Sequence, residues 1–331
     1  MQLHKVSLAD THSFSPFFLD YISQKKSLSP FYNRFPSIEN FKIQTQEKQK
    51  YFGSEKRNIL SDVLAYQYSK LEIAQAVKLN IELLKGQSTF TVTTGHQLNI
   101  FTGPLYFIYK IVTVINSCKE LKKKFPEYNF VPVYWMATED HDYDEIKSFR
   151  LYGKKYSWET KQTGAVGRFH TDGLFQLAEQ LPGDTSIFKK GYKDFKTLAD
   201  ATRCYVNDLF GAEGLVVIDA DDIKLKSEFT EVVKEDILNS IPKTKVEATN
   251  KELEALGYHT QIFARDINFF YLDKAIRNRI EKRDEHYVVL DSDLKFSESE
   301  IQKLIAEHPE KFSPNVILRP LYQEMILPNI A

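Results

Sequence analysis

TFTVTTGHQLNIFTGP (residues 89–104) changes character halfway along. Its first six residues are β-branched or aromatic, a composition that suits a buried strand. Gly95 and Gly103 then allow tight turns and close backbone approach. Thr102 is placed to cap a helix carrying Pro104 in its first turn. That helix should run to about Lys124, with Leu105, Ile108, Tyr109, Val112 and Ile115 as its buried stripe and Lys122–Lys124 on the negative end of its dipole. FVPVYWMA, residues 130–137, reads as a second buried strand. Strand, helix and strand with continuous apolar strands predict a parallel pair covered on both faces.

Working outward, residues 1–88 form an N-terminal helical segment packing on the core. Within it the pattern is helical from Ser54, a candidate cap, to Lys85, with Gly86 ending it. Ile59, Leu60, Val63 and Leu64 share one face, and Ala74, Val77, Ile81 and Leu84 another. Residues 89–145 are the first part of a Rossmann-type core, and 146–192 a hairpin-like insertion. Residues 193–256 are the second part of the core, with GLVVIDADD (214–222) as a third buried strand. Residues 257–312 are a small β-rich connecting segment. Residues 313–331 return to the core, with PNVILRP as a short strand candidate. The expected fold is α/β: a three-layer core with a mainly parallel sheet. Such sheets bind ligands beyond the C-terminal ends of their strands, so the motifs at 95–104, 138–145 and 219–222 should gather on one edge.

Composition narrows the function. The chain has 331 residues, 42% apolar and 27% charged, with a net charge of −1. That balance argues against wholesale nucleic-acid binding. Cys118 and Cys204 have no CxxC partner, so neither a disulfide framework nor structural zinc is expected. The N-terminus lacks the apolar core of a signal peptide, and the tract Ile100–Ile115 is broken by Gly103, Pro104 and Lys110. It falls short of the roughly 20 residues a membrane helix needs, and a cytoplasmic location is expected.

Two motifs carry chemistry. In TGHQLNIFTGP, N–H groups at a helix start attract anions, His96 and Gln97 can donate hydrogen bonds, and Lys110 adds charge if it faces the pocket. The same residues also describe a plain glycine turn before a capped helix. In TEDHDYDEI, five carboxylates and an imidazole fall within seven residues: Glu139, Asp140, His141, Asp142, Asp144 and Glu145. They suit a divalent metal, although at no strong zinc spacing. They equally suit an amine whose ammonium they hold and whose proton His141 or a carboxylate removes, or a solvated acidic loop. Asp219, Asp221 and Asp222 either bind hydroxyls or cap the next helix. Arg265 and Arg319 stand beside apolar runs, where each clamps an anion or satisfies a buried carboxylate. His12, His170, His259, His286 and His308 follow no pattern and read as surface or structural residues.

TTGHQLNIFTGPLYFIYKI, PVYWMATEDHDYDEI, GLVVIDADD, GYHTQIFARDINFFYL and SPNVILRPLYQEMILP, taken in order, resemble the bacillithiol biosynthesis cysteine-adding enzyme family. The resemblance implies a Rossmann core like that of class I nucleotidylyl transferases, carrying inserted connecting segments. It implies a carbon–nitrogen ligase that joins cysteine to glucosaminyl-malate in the last step of bacillithiol synthesis. Glu139, Asp140, His141 and Asp142 are then the catalytic candidates. Gly95, His96, Gln97, Thr102, Gly103, Lys110, Glu145, Asp219 and Arg319 are the candidates for binding substrate or nucleotide. Carboxyl activation would call for ATP and Mg²⁺, although the TGHQ turn is only loosely like the HxGH element of those transferases. Family members continue past LPNIA into a helical, coiled-coil-bearing region, so this chain is expected to lack that region, and a homodimer belongs to the longer form. Three other readings stay open: a nucleotidylyl transferase or ligase for another amine, metal-dependent hydrolysis by the acidic cluster, and a non-catalytic binding protein.

Overall fold

The computed structural model describes residues 4–331. At its centre are β1 (Thr89–Gln97), β2 (Asn129–Ala137) and β5 (Val216–Asp219). They form one parallel sheet in the order β1-β2-β5, with Thr89 opposite Asn129 and Val133 opposite Val216. Every residue of β2 from Phe130 to Ala137 is buried, so both of its faces are covered. The helix Tyr106–Lys124 packs on β1 and β2, and the helices Ser54–Gln67, Gln75–Leu83 and Leu198–Phe210 pack on β5. The free edge of β1 is paired with the last residues. Thr91 donates to Pro328 O (2.9 Å), Ile330 to Thr91 O (3.0 Å) and Thr93 to Ala331 O (2.8 Å).

The insertion opens with the hairpin β3 (Ser148–Leu151) and β4 (Lys154–Ser157), followed by short helices. A second sheet, ordered β10-β6-β7-β8-β9, is antiparallel throughout. It is built from β6 (Phe269–Asp273), β7 (Ile276–Arg283), β8 (His286–Val289), β9 (Lys295–Phe296) and β10 (Phe312–Pro314). The helix Glu298–Glu307 lies against it behind a Ser297–Glu300 capping box.

Several local expectations are corrected. Ser54 is the first helical residue, behind Gly53, and makes no cap. The pattern from 54 to 85 splits into two helices, which is why its apolar residues fall on two faces. Thr102 does not cap the next helix, which begins at Tyr106. Phe101 (φ 58°) and Gly103 (φ 65°) are left-handed, so the chain turns twice before it coils. The helix is also rotated from the predicted stripe. It buries Phe107, Ile111, Val114, Ile115, Cys118 and Leu121, while Leu105 and Tyr109 are more than 60% exposed. PNVILRP is not a strand beyond Pro314. Asn315 Oδ1 accepts from the N–H groups of Ile317 and Leu318, and a helix starts at Arg319.

Buried Arg57 ties the N-terminal helices to the sheet without a carboxylate partner among the described residues. Its Nη1 donates to Leu84 O (3.1 Å) and Thr89 O (2.8 Å), and its guanidinium lies near the rings of Phe52 and Phe90. At the far end of β2, the segment around Gly167 packs tightly against the strand. Gly167 N–H donates to Thr138 O (2.8 Å), and a Cβ on Gly167 would sit 2.8 Å from that same backbone oxygen. Gly167→Ala should therefore cost about 1–3 kcal/mol through overpacking, read as an earlier unfolding transition in denaturant.

Candidate functional site

The C-terminal ends of β1 and β2 open into a cavity of about 540 Å³. Gly95, His96 and Gln97 come from the end of β1, and Trp135, Ala137 and Asp140 from β2 and the turn after it. Tyr106 and Lys110 face it from the first turns of the following helix, Glu145 from the short helix Tyr143–Ile146, and Arg319 from the helix Arg319–Ile326. Seven of the thirteen candidate residues named from sequence thus line one cavity: Gly95, His96, Gln97, Lys110, Asp140, Glu145 and Arg319. Thr102 and Gly103 lie next door, in a second cavity of about 760 Å³ lined also by Phe101, Phe149, Leu181 and Phe188. Gln97, Tyr106 and Glu145 line both cavities.

The charge in the first cavity is divided. Gln97 Nε2 donates to Glu145 Oε2 (2.9 Å) and lies 3.4 Å from Asp140 Oδ2, so one amide bridges two carboxylates. Lys110 donates to Gly95 O (3.2 Å) and sits over the Tyr106 ring. Neither Lys110 nor half-buried Arg319 has a carboxylate partner among the described residues. His96 is buried between Tyr106 and Phe107. Burial, with Lys110 nearby, holds its imidazole down to about 4, so it is neutral at physiological pH.

The acidic run does not act as one cluster. Glu139 is buried and ion-paired with Lys226 Nζ (2.6 Å). Lys226 also meets Asp221 Oδ1 (3.0 Å) and donates to Glu310 O (3.1 Å). Arg168 of the insertion grips Asp221 with two bonds, at 2.6 and 2.9 Å. Burial pushes the Asp221 carboxyl up, but Lys226 and Arg168 outweigh it and hold it below the usual range. Burial and the adjacent Asp221 raise Asp219 to about 6. Asp219 accepts from Thr138 Oγ1 and from Asp221 N–H, and it lines neither cavity. Its expected binding role gives way to an internal one. Asp222 caps the helix Ile223–Ser227, accepting from Lys224 and Leu225 N–H. Asp142 and Asp144 are exposed. His141 lies outside the cavity lining, its Nδ1 2.7 Å from Arg277 Nη1. Among the described residues no group of three or more His, Cys, Asp or Glu side chains is placed to hold a metal ion. No described helix is long and apolar enough to cross a membrane.

Arg168, Lys226 and Arg277, which neutralise the acids, were not legible as site residues. Lys226 and Arg277 each lie two residues from another cation, Lys224 and Arg279, and no motif singles out any of the three. Arg265 lies in a different cavity with Arg279 and Lys243.

The whole chain, residues 1–331, matches the family model described as bacillithiol biosynthesis BshC, N-terminal Rossmann-like domain. A Christiangramia forsetii protein named "Putative cysteine ligase BshC" is 47% identical over 100% of this chain and 64% of its own length. Relatives of the same name are 48% identical in Flavobacterium psychrophilum (98% of this chain, 63% of the relative) and 29% identical in Bacillus pumilus (100% and 64%). The chain spans just under two thirds of the length of these relatives.

Two outcomes test this site. Lys226→Met leaves Glu139 and Asp221 buried without their shared cation and should cost about 3–5 kcal/mol of stability, measured by denaturant unfolding. His96 takes up its proton more readily unfolded than folded, so its contribution to stability is present above about pH 6.5 and is lost as pH falls towards 4. An imidazole NMR titration should find the ring neutral at pH 6, and His96→Asn should flatten that part of the stability profile.

Proposed function

The chain belongs to the bacillithiol biosynthesis BshC family, and from that premise we propose that its cavity binds glucosaminyl-malate and serves the joining of cysteine to the sugar amine through an amide bond. The observation that carries this reading is the divided charge of the cavity. Asp140 and Glu145 line it together with Lys110 and Arg319, two cations without carboxylate partners among the described residues. A molecule with an amine at one end and carboxylates at the other is complementary to that arrangement.

The chemistry follows from charge. The amine arrives as an ammonium, attracted by the carboxylates, and must lose a proton before its lone pair can attack a carbonyl carbon. A carboxylate positioned at the amine accepts that proton. The new C–N bond forms as a C–O bond of the activated cysteine carboxyl breaks, and the leaving group departs with the electron pair. ATP with Mg²⁺ is the activating pair we expect. Lys110 and Arg319 hold the malate carboxylates, and neutral His96 and Gln97 offer hydrogen bonds without adding charge. The adjoining aromatic cavity leaves room beside the amine for the second substrate.

The test is a mass-spectrometric product assay with glucosaminyl-malate and cysteine, with and without ATP and Mg²⁺, on this chain and on a longer relative. Cysteinyl-glucosaminyl-malate is the expected product, and no product from either protein sinks the reading. Arg319→Met removes a charge-assisted contact of about 1.5–3 kcal/mol and should raise KM for glucosaminyl-malate about 10- to 100-fold, with little change in KM for cysteine. Equal effects on both substrates would place Arg319 elsewhere in the reaction.

A further inference from the structure

We propose that Arg277 is a positioning residue that locks His141 as the neutral tautomer with its proton on Nε2, leaving Asp140 rather than His141 to accept the amine proton. The second half of this statement rests on the functional reading above; the first does not.

Arg277 lies on β7, outside the parallel sheet, and its side chain is only 3% exposed. Its nitrogens are anchored separately. Nε donates to Ser313 Oγ (3.0 Å), Nη2 donates to Pro314 O (3.3 Å), and the Phe270 ring lies 4.1 Å from the guanidinium carbon. Fixed in this way, Nη1 stands 2.7 Å from His141 Nδ1 and 3.9 Å from Asp140 Oδ1. A guanidinium has only donors and does not deprotonate in proteins. Only an unprotonated Nδ1 can face it at that distance, so the ring's proton resides on Nε2.

The groups around His141 oppose one another. Asp140 and Asp142 on its own turn favour the imidazolium, whereas Arg277 and Arg279 on β7 oppose it, and the Phe270 ring covers one side. Burial and Arg277 prevail and hold the imidazole below its usual range. Protonating the ring at Nδ1 would aim two donors at each other and break the Arg277 contact. While that contact lasts, His141 has no free lone pair to act as a base. Asp140 differs. Its Oδ1 is occupied by His141 N–H (2.9 Å), while its Oδ2 lies at the cavity wall beside Gln97. One oxygen anchors the carboxylate, and the other remains for an incoming proton.

Long-range proton–nitrogen NMR on the histidine-labelled chain tests the first half, with His141→Gln assigning the signal. The expected wild-type pattern at pH 7 is an unprotonated Nδ1 and a protonated Nε2. Arg277→Lys, which keeps a charged donor, should preserve the neutral ring, and Arg277→Gln should move the titration to higher pH. An Nδ1–H or imidazolium pattern in the wild type overturns the proposal however the variants behave, so a variant that fails to fold leaves the test intact. An unmoved titration in folded Arg277→Gln overturns it as well. For the second half, Asp140→Asn should lower product formation by about 100-fold or more, the lower end of general acid–base effects, and His141→Gln by less than about tenfold. The reverse order overturns the assignment to Asp140. A wild-type chain and a longer relative that both make no product overturn the functional reading, and the tautomer assignment is then decided by its nitrogen spectrum alone.

Discussion

Lys226 is the cation on which the site depends. Its ammonium is buried where β2 and β5 end, and it meets Glu139 at 2.6 Å and Asp221 at 3.0 Å. A buried ammonium is costly alone, and so are two buried carboxylates. Together they are mutually stabilising, and the arrangement fixes where both strand ends sit. Burial pulls the Lys226 amine down, but Asp221 and Glu139 reverse that and keep it charged. The hydrogen bond to Glu310 O ties the same ammonium to the segment that leads into β10. One side chain therefore joins three parts of the chain.

Arg168 and Arg277 extend the principle. Arg168 brings the insertion onto Asp221, and Arg277 brings the antiparallel sheet onto the turn at Asp140 and His141. Three cations from three separate segments thus hold a run of acids that would otherwise repel one another. The neutralisation is uneven. Glu139 and Asp221 are consumed by it, while Asp140, held by His141 N–H, and Glu145, held by the Gln97 amide, stay at the cavity wall. In the same cavity, Lys110 and Arg319 keep their charge without a carboxylate partner among the described residues. The functional reading rests on this leftover charge of both signs.

The parallel core was legible because its signal is local. Six β-branched or aromatic residues at 89–94 and eight apolar ones at 130–137 leave little choice but buried strands, and the glycine-punctuated turn between them feeds a helix. The acidic run was conspicuous for the same reason. Which acids face a ligand was not legible, because Glu139 and Asp140 are neighbours that meet different partners, Lys226 and Gln97 among them, 87 and 43 positions away. The helix Tyr106–Lys124 teaches a related lesson. Its 3.6-residue period was readable, but two overlapping stripes fit it, and contact with the sheet selected the one carrying Phe107, Ile111 and Val114.

By itself the sequence determined the fold class, the gathering of the parallel strands' C-terminal motifs on one edge, and the family. These follow from periodicity, turn chemistry and long ordered motifs, all of which are properties of adjacent residues. Only the tertiary structure decided that Asp219 is internal, that Thr102 caps nothing, and that Arg277 reaches His141. The reason is physical. A carboxylate's role is set by which cation shares its low-dielectric surroundings, and here those cations come from segments brought together only when the chain closes on itself.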